Sequence, residues 1–109
     1  MVKLTILYNQ PKDPAEFEKY YSERHIPDFI QSGVLKNLVR FDACKGMLRG
    51  QEAPPFYRLA DLWWASAEAM AQDLQSPAGQ AGTRDVQNLA TGGYAVMLSE
   101  VETQEFAKV

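Results

Sequence analysis

Residues 56–66 of this chain read FYRLADLWWAS and are apolar or aromatic on both of the faces that alternate along a strand. A strand with two apolar faces must be covered on both sides, which places it inside a sheet rather than at its edge. The chain has 109 residues, enough for one hydrophobic core of modest size. The segment therefore predicts a single domain over residues 1–109, built around a sheet with this strand at its centre.

Three other segments alternate between apolar and polar residues in the manner of strands with one buried face, namely residues 2–9, 35–46 and 94–102. In the second of them, Val39 and Phe41 are expected to share a face that excludes Leu38. Glycine and proline punctuate residues 46–55, which predicts a connecting loop. With the central strand, the chain is expected to contain four strands.

The stretches between these strands predict helices with recognisable caps. Asp13 is suited to cap a helix from about residue 14 to about residue 31, and Gly33 is suited to end it. Ser66 and Ser76 are suited to cap the helical segments that follow the central strand. The chain therefore reads strand, helix, strand, strand, helix, strand.

This order predicts an α+β fold of the ferredoxin-like βαββαβ type, with a four-stranded antiparallel sheet and both helical layers on one face. The second face would then expose Trp63 or Trp64 together with apolar residues of the last strand. A bare face of that kind is a large apolar patch, and a second copy of the chain is its simplest cover. We therefore expect a homodimer whose two sheets pack into one barrel.

Charge and composition exclude several classes of partner. The net charge of −3 and the absence of a basic cluster argue against nucleic acid. The apolar runs are too short for a signal peptide or a membrane span, so no membrane partner is expected. The single cysteine, Cys44, cannot form an internal disulfide and is expected to be buried. A cytoplasmic location follows as the default expectation.

The sequence lacks the motifs that hold metals and nucleotides. One histidine and one cysteine cannot supply the usual structural zinc ligands, and no spaced carboxylate cluster replaces them. There is no GxGxxG, no phosphate loop and no GxSxG elbow. We therefore expect neither a metal nor a cofactor.

His25, the only histidine, lies at the margin of the helical face that should meet the sheet. Pro27 cannot donate a hydrogen bond to the carbonyl of Glu23, so the helix should bend or break there. The resulting gap is expected to admit a small hydrophobic organic ligand, with His25 as a general acid or base. The alternative is a half-buried histidine bonded to a carbonyl, and the residues alone leave both interpretations open.

Asp61 is the second unusual residue, because it places a carboxylate in the middle of the central apolar strand. A buried carboxylate needs a partner or a raised pKa. Asp61 would assist His25 if its face looks toward the first helix, and otherwise would pair with Arg40 or Arg58. Four further side chains are candidates for contacts with a flat organic ligand, although most aromatic residues of a small domain belong to its core: Tyr8, Asn9, Tyr21 and Trp63.

The segments YYSERHIP, RLADLWW and SPAGQ, followed by an aspartate and NLATGG, resemble the EthD family, named for ethyl tert-butyl ether degradation, over nearly the whole chain. The resemblance implies a dimeric α+β barrel and a loose association with oxidoreductases. A related methylmuconolactone isomerase branch carries a functional histidine in the matching helix, which implies that role for His25. The chain departs from the family pattern at Asp28, where an apolar residue is usual, and at Asp61, where glutamate is common.

These observations favour a cofactor-independent enzyme of isomerase, cyclase or oxidoreductase type that acts on a small hydrophobic, cyclic or aromatic compound. Proton transfer by a placed side chain suits such reactions better than demanding bond cleavage. One alternative is a non-catalytic ligand-binding protein that serves a separate monooxygenase. Another is haem binding through Asn9, Trp63 and His25, for which the first helix is the wrong place for the histidine.

Overall fold

The computed structural model describes residues 1–31 and 35–107, except the side chains of residues 30 and 31. Gly33, expected to end the first helix, lies outside the described residues. The elements in chain order are β1 (Val2–Tyr8), α1 (Pro14–Tyr20), a π-helical turn (Tyr21–His25), α2 (Ile26–Gln31), β2 (Leu38–Lys45), β3 (Arg58–Trp64), α3 (Ala67–Gln75), α4 (Pro77–Leu89) and β4 (Tyr94–Glu100).

The four strands form one antiparallel sheet in the order β2-β3-β1-β4. This is the ferredoxin-like βαββαβ arrangement, so the predicted fold class is confirmed. β3 lies between β2 and β1, as its two apolar faces predicted. The helices pack on the sheet face that carries Leu4, Ile6 and Leu62, and the core lies between the two layers.

One detail of the predicted strand pattern is wrong. A bulge between Leu38 and Arg40 shifts the register of β2 against β3. Leu38 and Phe41 therefore both pack against the core, whereas Val39 is 56% exposed. Since a bulge inserts one residue into the alternation, the face of every earlier residue in the strand is reversed.

None of the helices in the described part of the chain covers the opposite face of the sheet. The strand register shows which residues point to this face. Thr5 of β1 pairs with Asp61 of β3 and with Met97 of β4, so these three side chains share it. Trp63 and Ala95 also point this way, while Trp64 is fully buried under the helices. Met97 is 60% exposed. The sequence left open which tryptophan faces outward, and the structure selects Trp63.

Cys44 is exposed, which contradicts the expectation of a buried thiol. The reason is topological: β2 is an edge strand, and Cys44 lies on its open face. No helix within the described ranges is both long enough and apolar enough to cross a membrane.

The first helical region begins as the sequence predicted. Asp13 caps α1 by accepting a hydrogen bond from the backbone nitrogen of Glu16 at 3.2 Å. The region does not break at Pro27; it widens just before it. The backbone N–H of Ile26 donates to the carbonyl of Tyr21, five residues earlier, which is the π-helical pattern. A widened turn accommodates a proline ring that would otherwise crowd the carbonyl four residues before it.

The helices α3 and α4 also begin at the caps that the sequence predicted. Ser66 and Ser76 accept hydrogen bonds from backbone nitrogens at the starts of the two helices. Asp73, only 4% exposed, accepts a hydrogen bond from Trp64 Nε1 at 2.7 Å and from the backbone nitrogen of Asn37 at 3.0 Å. Because a buried carboxylate needs such donors, this residue fastens α3 to β3 and to the segment before β2.

A charged clamp fastens α1 to the other end of the sheet. Arg58 of β3 donates two hydrogen bonds, of 2.7 and 2.9 Å, to the carboxylate of Glu18, and Lys45 of β2 lies 3.2 Å from the same group. The bond from Arg58 lowers the pKa of Glu18 from 4.5 to about 2. The clamp therefore requires an ionised Glu18.

Acid unfolding tests this clamp. A carboxyl whose pKa is lowered in the folded state stabilises the fold above its unfolded value, and that contribution is lost as the pH falls from about 4.5 to about 2. The side chain is 30% exposed, so we discount the effect to about 1 kcal/mol. Glu18→Gln should lower the free energy of unfolding by that amount at neutral pH, measured by urea titration.

The Glu18→Gln variant should also lose less stability than the wild type across this acid range. Glu105→Gln, which changes an exposed carboxylate after β4, is the matched control and should behave like the wild type. Equal acid sensitivity of Glu18→Gln and the wild type would contradict the role given to the clamp.

Candidate functional site

A cavity of about 210 Å³ lies between the helices and the sheet. Its floor is formed by apolar side chains of the strands, including Leu4, Ile6 and Leu62, and its roof includes Phe29 and Val86 of the helices. Among the described lining residues, three carry polar side chains: His25, Thr83 and Tyr94. A mostly apolar hollow with a few convergent polar groups is typical of small-molecule sites.

His25 is held in this hollow by a carboxylate that the sequence analysis did not assign. Its Nδ1 lies 2.5 Å from Asp85 Oδ2 of α4, and the side chain is 12% exposed. An ionised Asp85 accepts the Nδ1 proton, which fixes the tautomer and leaves Nε2 able to accept a proton from a ligand. This is the relation of an orienting acid to a general base.

The same carboxylate is bonded to a second residue of the first helical region. Tyr20 donates its hydroxyl hydrogen to Asp85 Oδ1, and this bond raises the pKa of Tyr20 above its usual value. Tyr20 therefore remains protonated at neutral pH and acts as a donor. Both oxygens of Asp85 are thus engaged, which fixes the carboxylate against His25.

The π-helical turn decides where the imidazole points. It stacks the rings of Tyr21 and His25 at 5.5 Å between centroids and 26° between planes. The guanidinium of Arg58 lies 4.7 Å from the centroid of the Tyr21 ring, so the Glu18 clamp supports the stack. Burial raises the pKa of Tyr21, which keeps its phenol neutral. The imidazole is therefore fixed by stacking as well as by Asp85.

A second hollow of about 330 Å³ lies next to the first, between α2 and α4. Asp28 and Asp85 line it together with small residues of α4. Four residues line both hollows: His25, Phe29, Ala78 and Gly82. A methyl group placed on Gly82 would meet no atom within 4 Å, so this part of α4 borders open space. We call the second hollow the acidic groove.

The structure does not bring Asp61 to His25. The register of β3 places Asp61 on the open face of the sheet, away from the helices, where it accepts a hydrogen bond from Thr5 and lies 3.5 Å from the ammonium of Lys3. The alternative partners considered for it bind elsewhere, since Arg40 pairs with Asp42 and Arg58 with Glu18. The carboxylate that the structure places beside His25 is that of Asp85 instead.

The four residues proposed to contact the ligand are not part of the described lining of the cavity. Tyr8 is fully buried and packs edge-on against Phe17 at 5.4 Å, and burial raises its pKa. Asn9 donates to the carbonyl of Gly92 at the end of β1, and Tyr21 supports His25. Trp63 lies on the open face, with the ammonium of Lys3 4.9 Å from its ring centroid.

Sequence reasoning missed Asp85, Thr83 and Tyr94. The sequence contained part of the signal for Asp85, since this aspartate shortly precedes NLATGG in the segment that resembles the EthD family. On the helix alone this residue looks like an ordinary surface carboxylate, the one acidic residue of α4. Only the packing of α4 against the π-helical turn shows that it meets His25, 60 residues earlier.

Among the residues that the structure describes, no group of three or more His, Cys, Asp or Glu side chains is arranged to hold a metal ion. The polar groups at the cavity suit hydrogen bonding and proton transfer. The site can therefore bind an apolar molecule of modest size and exchange one proton with it.

Comparison with known proteins agrees with this description. The family model of the EthD domain matches residues 9–93. An uncharacterized 11.0 kDa protein in the thcB-thcC intergenic region of Rhodococcus erythropolis is 37% identical over 103 residues, which cover 94% of this chain and 97% of that protein.

Two solved structures show the same fold. A protein of Bacillus halodurans described as an EthD family protein is 24% identical, with a TM-score of 0.83, over 94% of this chain and 99% of that chain. SnoaB of Streptomyces nogalater, described as a cofactor-independent oxygenase and solved as a mutant, is 18% identical, with a TM-score of 0.64, over 94% of each chain. The chain belongs to the EthD family.

Proposed function

We propose that this protein is a cofactor-independent enzyme that binds a small hydrophobic, cyclic or aromatic compound in the cavity and transfers a proton through His25. The observation that supports the proposal is the hydrogen bond between Asp85 and an imidazole that also lines an apolar cavity. The imidazole is 12% exposed and the carboxylate 27%, so the hydrogen bond between them is stronger than it would be at the open surface.

The chemistry follows from the two ring nitrogens of His25. Nε2 takes a proton from an acidic C–H or O–H group of the ligand, and the imidazolium that results is stabilised by Asp85. Return of the proton to a different atom of the ligand completes an isomerisation or cyclisation. Tyr94 is suited to donate a hydrogen bond to a carbonyl or hydroxyl of the ligand, and Thr83, whose hydroxyl hydrogen is donated to the carbonyl of Gly79, can accept one.

An oxidation without a cofactor would begin with the same step. Removal of a proton from a phenol or a C–H acid gives an electron-rich anion, and a reaction of that anion with oxygen needs no further protein group to start it. The fold is compatible with such chemistry, because a protein of this fold is described as a cofactor-independent oxygenase. Oxidoreductase activity remains a proposal for this chain.

Haem binding is disfavoured by the placement of its candidate residues. Asn9 is bonded to Gly92, and Trp63 lies on the opposite face of the sheet from His25. A cavity of about 210 Å³ is also too small to enclose a haem.

Hydrogen–deuterium exchange tests the proposed proton transfer without knowledge of the natural substrate. Cyclic ketones and phenols are screened in D2O by NMR, and the wild type should accelerate exchange at an acidic carbon of at least one of them. His25→Gln should reduce that acceleration by about two to four orders of magnitude, because the base is removed. Asp85→Asn should reduce it by a smaller factor, because the tautomer is no longer fixed.

The exposed control Glu68→Gln should exchange as the wild type does. Unchanged exchange in a folded His25→Gln variant would contradict the proposal. Binding of the screened compounds by the wild type with no exchange in any of them would instead support the alternative, a non-catalytic ligand-binding protein that serves a separate monooxygenase.

We also propose that the chain forms a homodimer through the open face of the sheet. Met97 of β4 is 60% exposed there, and the neighbouring Val96 and Leu98 are 51% and 57% exposed although they point to the helical side. Such a strand leaves more apolar surface in water than a small monomer usually carries. The expected cytoplasmic location stays a prediction.

A charge on this face tests the dimer. Light scattering should give the wild type twice the 12.3 kDa mass of one chain, and Met97→Asp should shift the equilibrium toward the monomer because it buries a charge in the interface. Gln87→Asp, on an exposed position of α4, introduces the same charge elsewhere and should remain dimeric. A monomeric wild type, or a Met97→Asp variant as dimeric as the wild type, would contradict the proposal.

A further inference from the structure

The geometry points to a site selective for uncharged organic molecules: Asp28 and Asp85, in the acidic groove, disfavour ligands that carry a carboxylate or another anionic group. This inference rests on the proposed function, because it assumes that the cavity holds the ligand. It adds a substrate class, neutral phenols, ketones and amides, and it gives Asp28 a role in specificity.

The acidic groove adjoins the cavity at four shared residues: His25, Phe29, Ala78 and Gly82. Two of these residues carry a methyl group or no side chain at all, so α4 leaves space between the two hollows. A molecule that lies against His25 therefore lies beside the groove as well. The charge of the groove then acts on any ligand at the proposed proton-transfer site.

The balance of charge at the two hollows is one-sided. Asp28 and Asp85 line the groove, and among the described residues no lysine or arginine lines either hollow. Arg24 lies close enough to Tyr20 to oppose the rise of its pKa, but it is exposed and lines neither hollow. An anionic ligand would therefore meet two carboxylates, and the cationic partner that the described lining could offer it is His25 in its protonated form, which is already paired with Asp85.

Asp85 and Asp28 differ in how far hydrogen-bond donors compensate their negative charges. Asp85 is bonded to His25 and Tyr20, and its charge is shared with those donors. Asp28 is exposed, and within the described part of the chain no hydrogen bond or ion pair engages it. Its side chain lines the acidic groove directly, so a ligand in the groove lies beside its charge. Asp28 therefore supplies the less compensated negative charge.

Solvation acts in the same direction. A carboxylate that enters an apolar cavity loses its water and needs several donors to replace it, whereas an amide or a phenol needs one or two hydrogen bonds. Tyr94 can donate such a bond, and Thr83 and the unprotonated Nε2 of His25 can each accept one. Desolvation and repulsion together should disfavour an anion by at least about tenfold, of which Asp28 should account for about threefold at low salt.

Asp28 follows directly after the segment HIP, residues 25–27, at the start of α2. The position lies at the groove and outside the core, so an aspartate does not disturb packing. What it changes is the charge that a ligand meets.

Binding of two molecules of the same shape tests the inference. The probes are 4-methylbenzamide and 4-methylbenzoate, which differ in charge at neutral pH, titrated into the full chain at low ionic strength and followed by NMR. The amide should bind at least tenfold more tightly than the benzoate. Asp28→Asn should narrow that ratio about threefold, and Glu23→Gln, an exposed residue that lines neither hollow, should leave it unchanged.

A benzoate that binds as tightly as the amide, or a ratio that Asp28→Asn leaves intact, would overturn the inference. Binding of neither probe would overturn it as well. The signals of the His25 ring separate this inference from the proposed function. Preference for the amide without any change in those signals would leave the charge selection standing and count against proton transfer. A benzoate that binds as tightly as the amide and shifts those signals would overturn the charge selection and leave proton transfer standing.

Discussion

Pro27 has no amide hydrogen to give to the carbonyl of Glu23, and the site depends on how the chain meets this constraint. The helical region widens by one residue over Tyr21–His25 instead of breaking. The wide turn stacks His25 on Tyr21 and aims it at α4, where Asp85 accepts its Nδ1 hydrogen. One backbone adjustment thus creates both the orientation of the base and the space beside it.

The rest of the fold holds this turn against the sheet from two ends. The clamp between Glu18 and Arg58 fastens α1 to β3, and Arg58 also covers the ring of Tyr21. At the other end, Asp73 accepts a hydrogen bond from Trp64 and so fastens α3 to the sheet. Since α4 follows α3 directly, this bond also positions the helix on which Asp85 lies. The polar residues outside the cavity therefore support the few polar residues within it.

Local chemistry explains what could be predicted from the sequence. The two apolar faces of β3 and the caps at Asp13 and Ser66 are determined within a few residues, and the structure confirms them. The bulge after Leu38 depends on pairing with another strand, which alternation does not reveal. The partner of His25 comes from a helix 60 residues away, so the sequence singled out this imidazole, with a catalytic and a structural interpretation both open, but could not assign the carboxylate that binds it.

His25 is the only histidine, so long-range proton–nitrogen NMR gives a single set of imidazole signals that reports directly on the central claim. The account predicts the tautomer protonated at Nδ1, with Nε2 unprotonated at a pH where the ring is neutral. It also predicts that the Nε2 signal moves when a neutral ligand enters the cavity. A ring protonated at Nε2, with signals that no ligand shifts, would contradict the account.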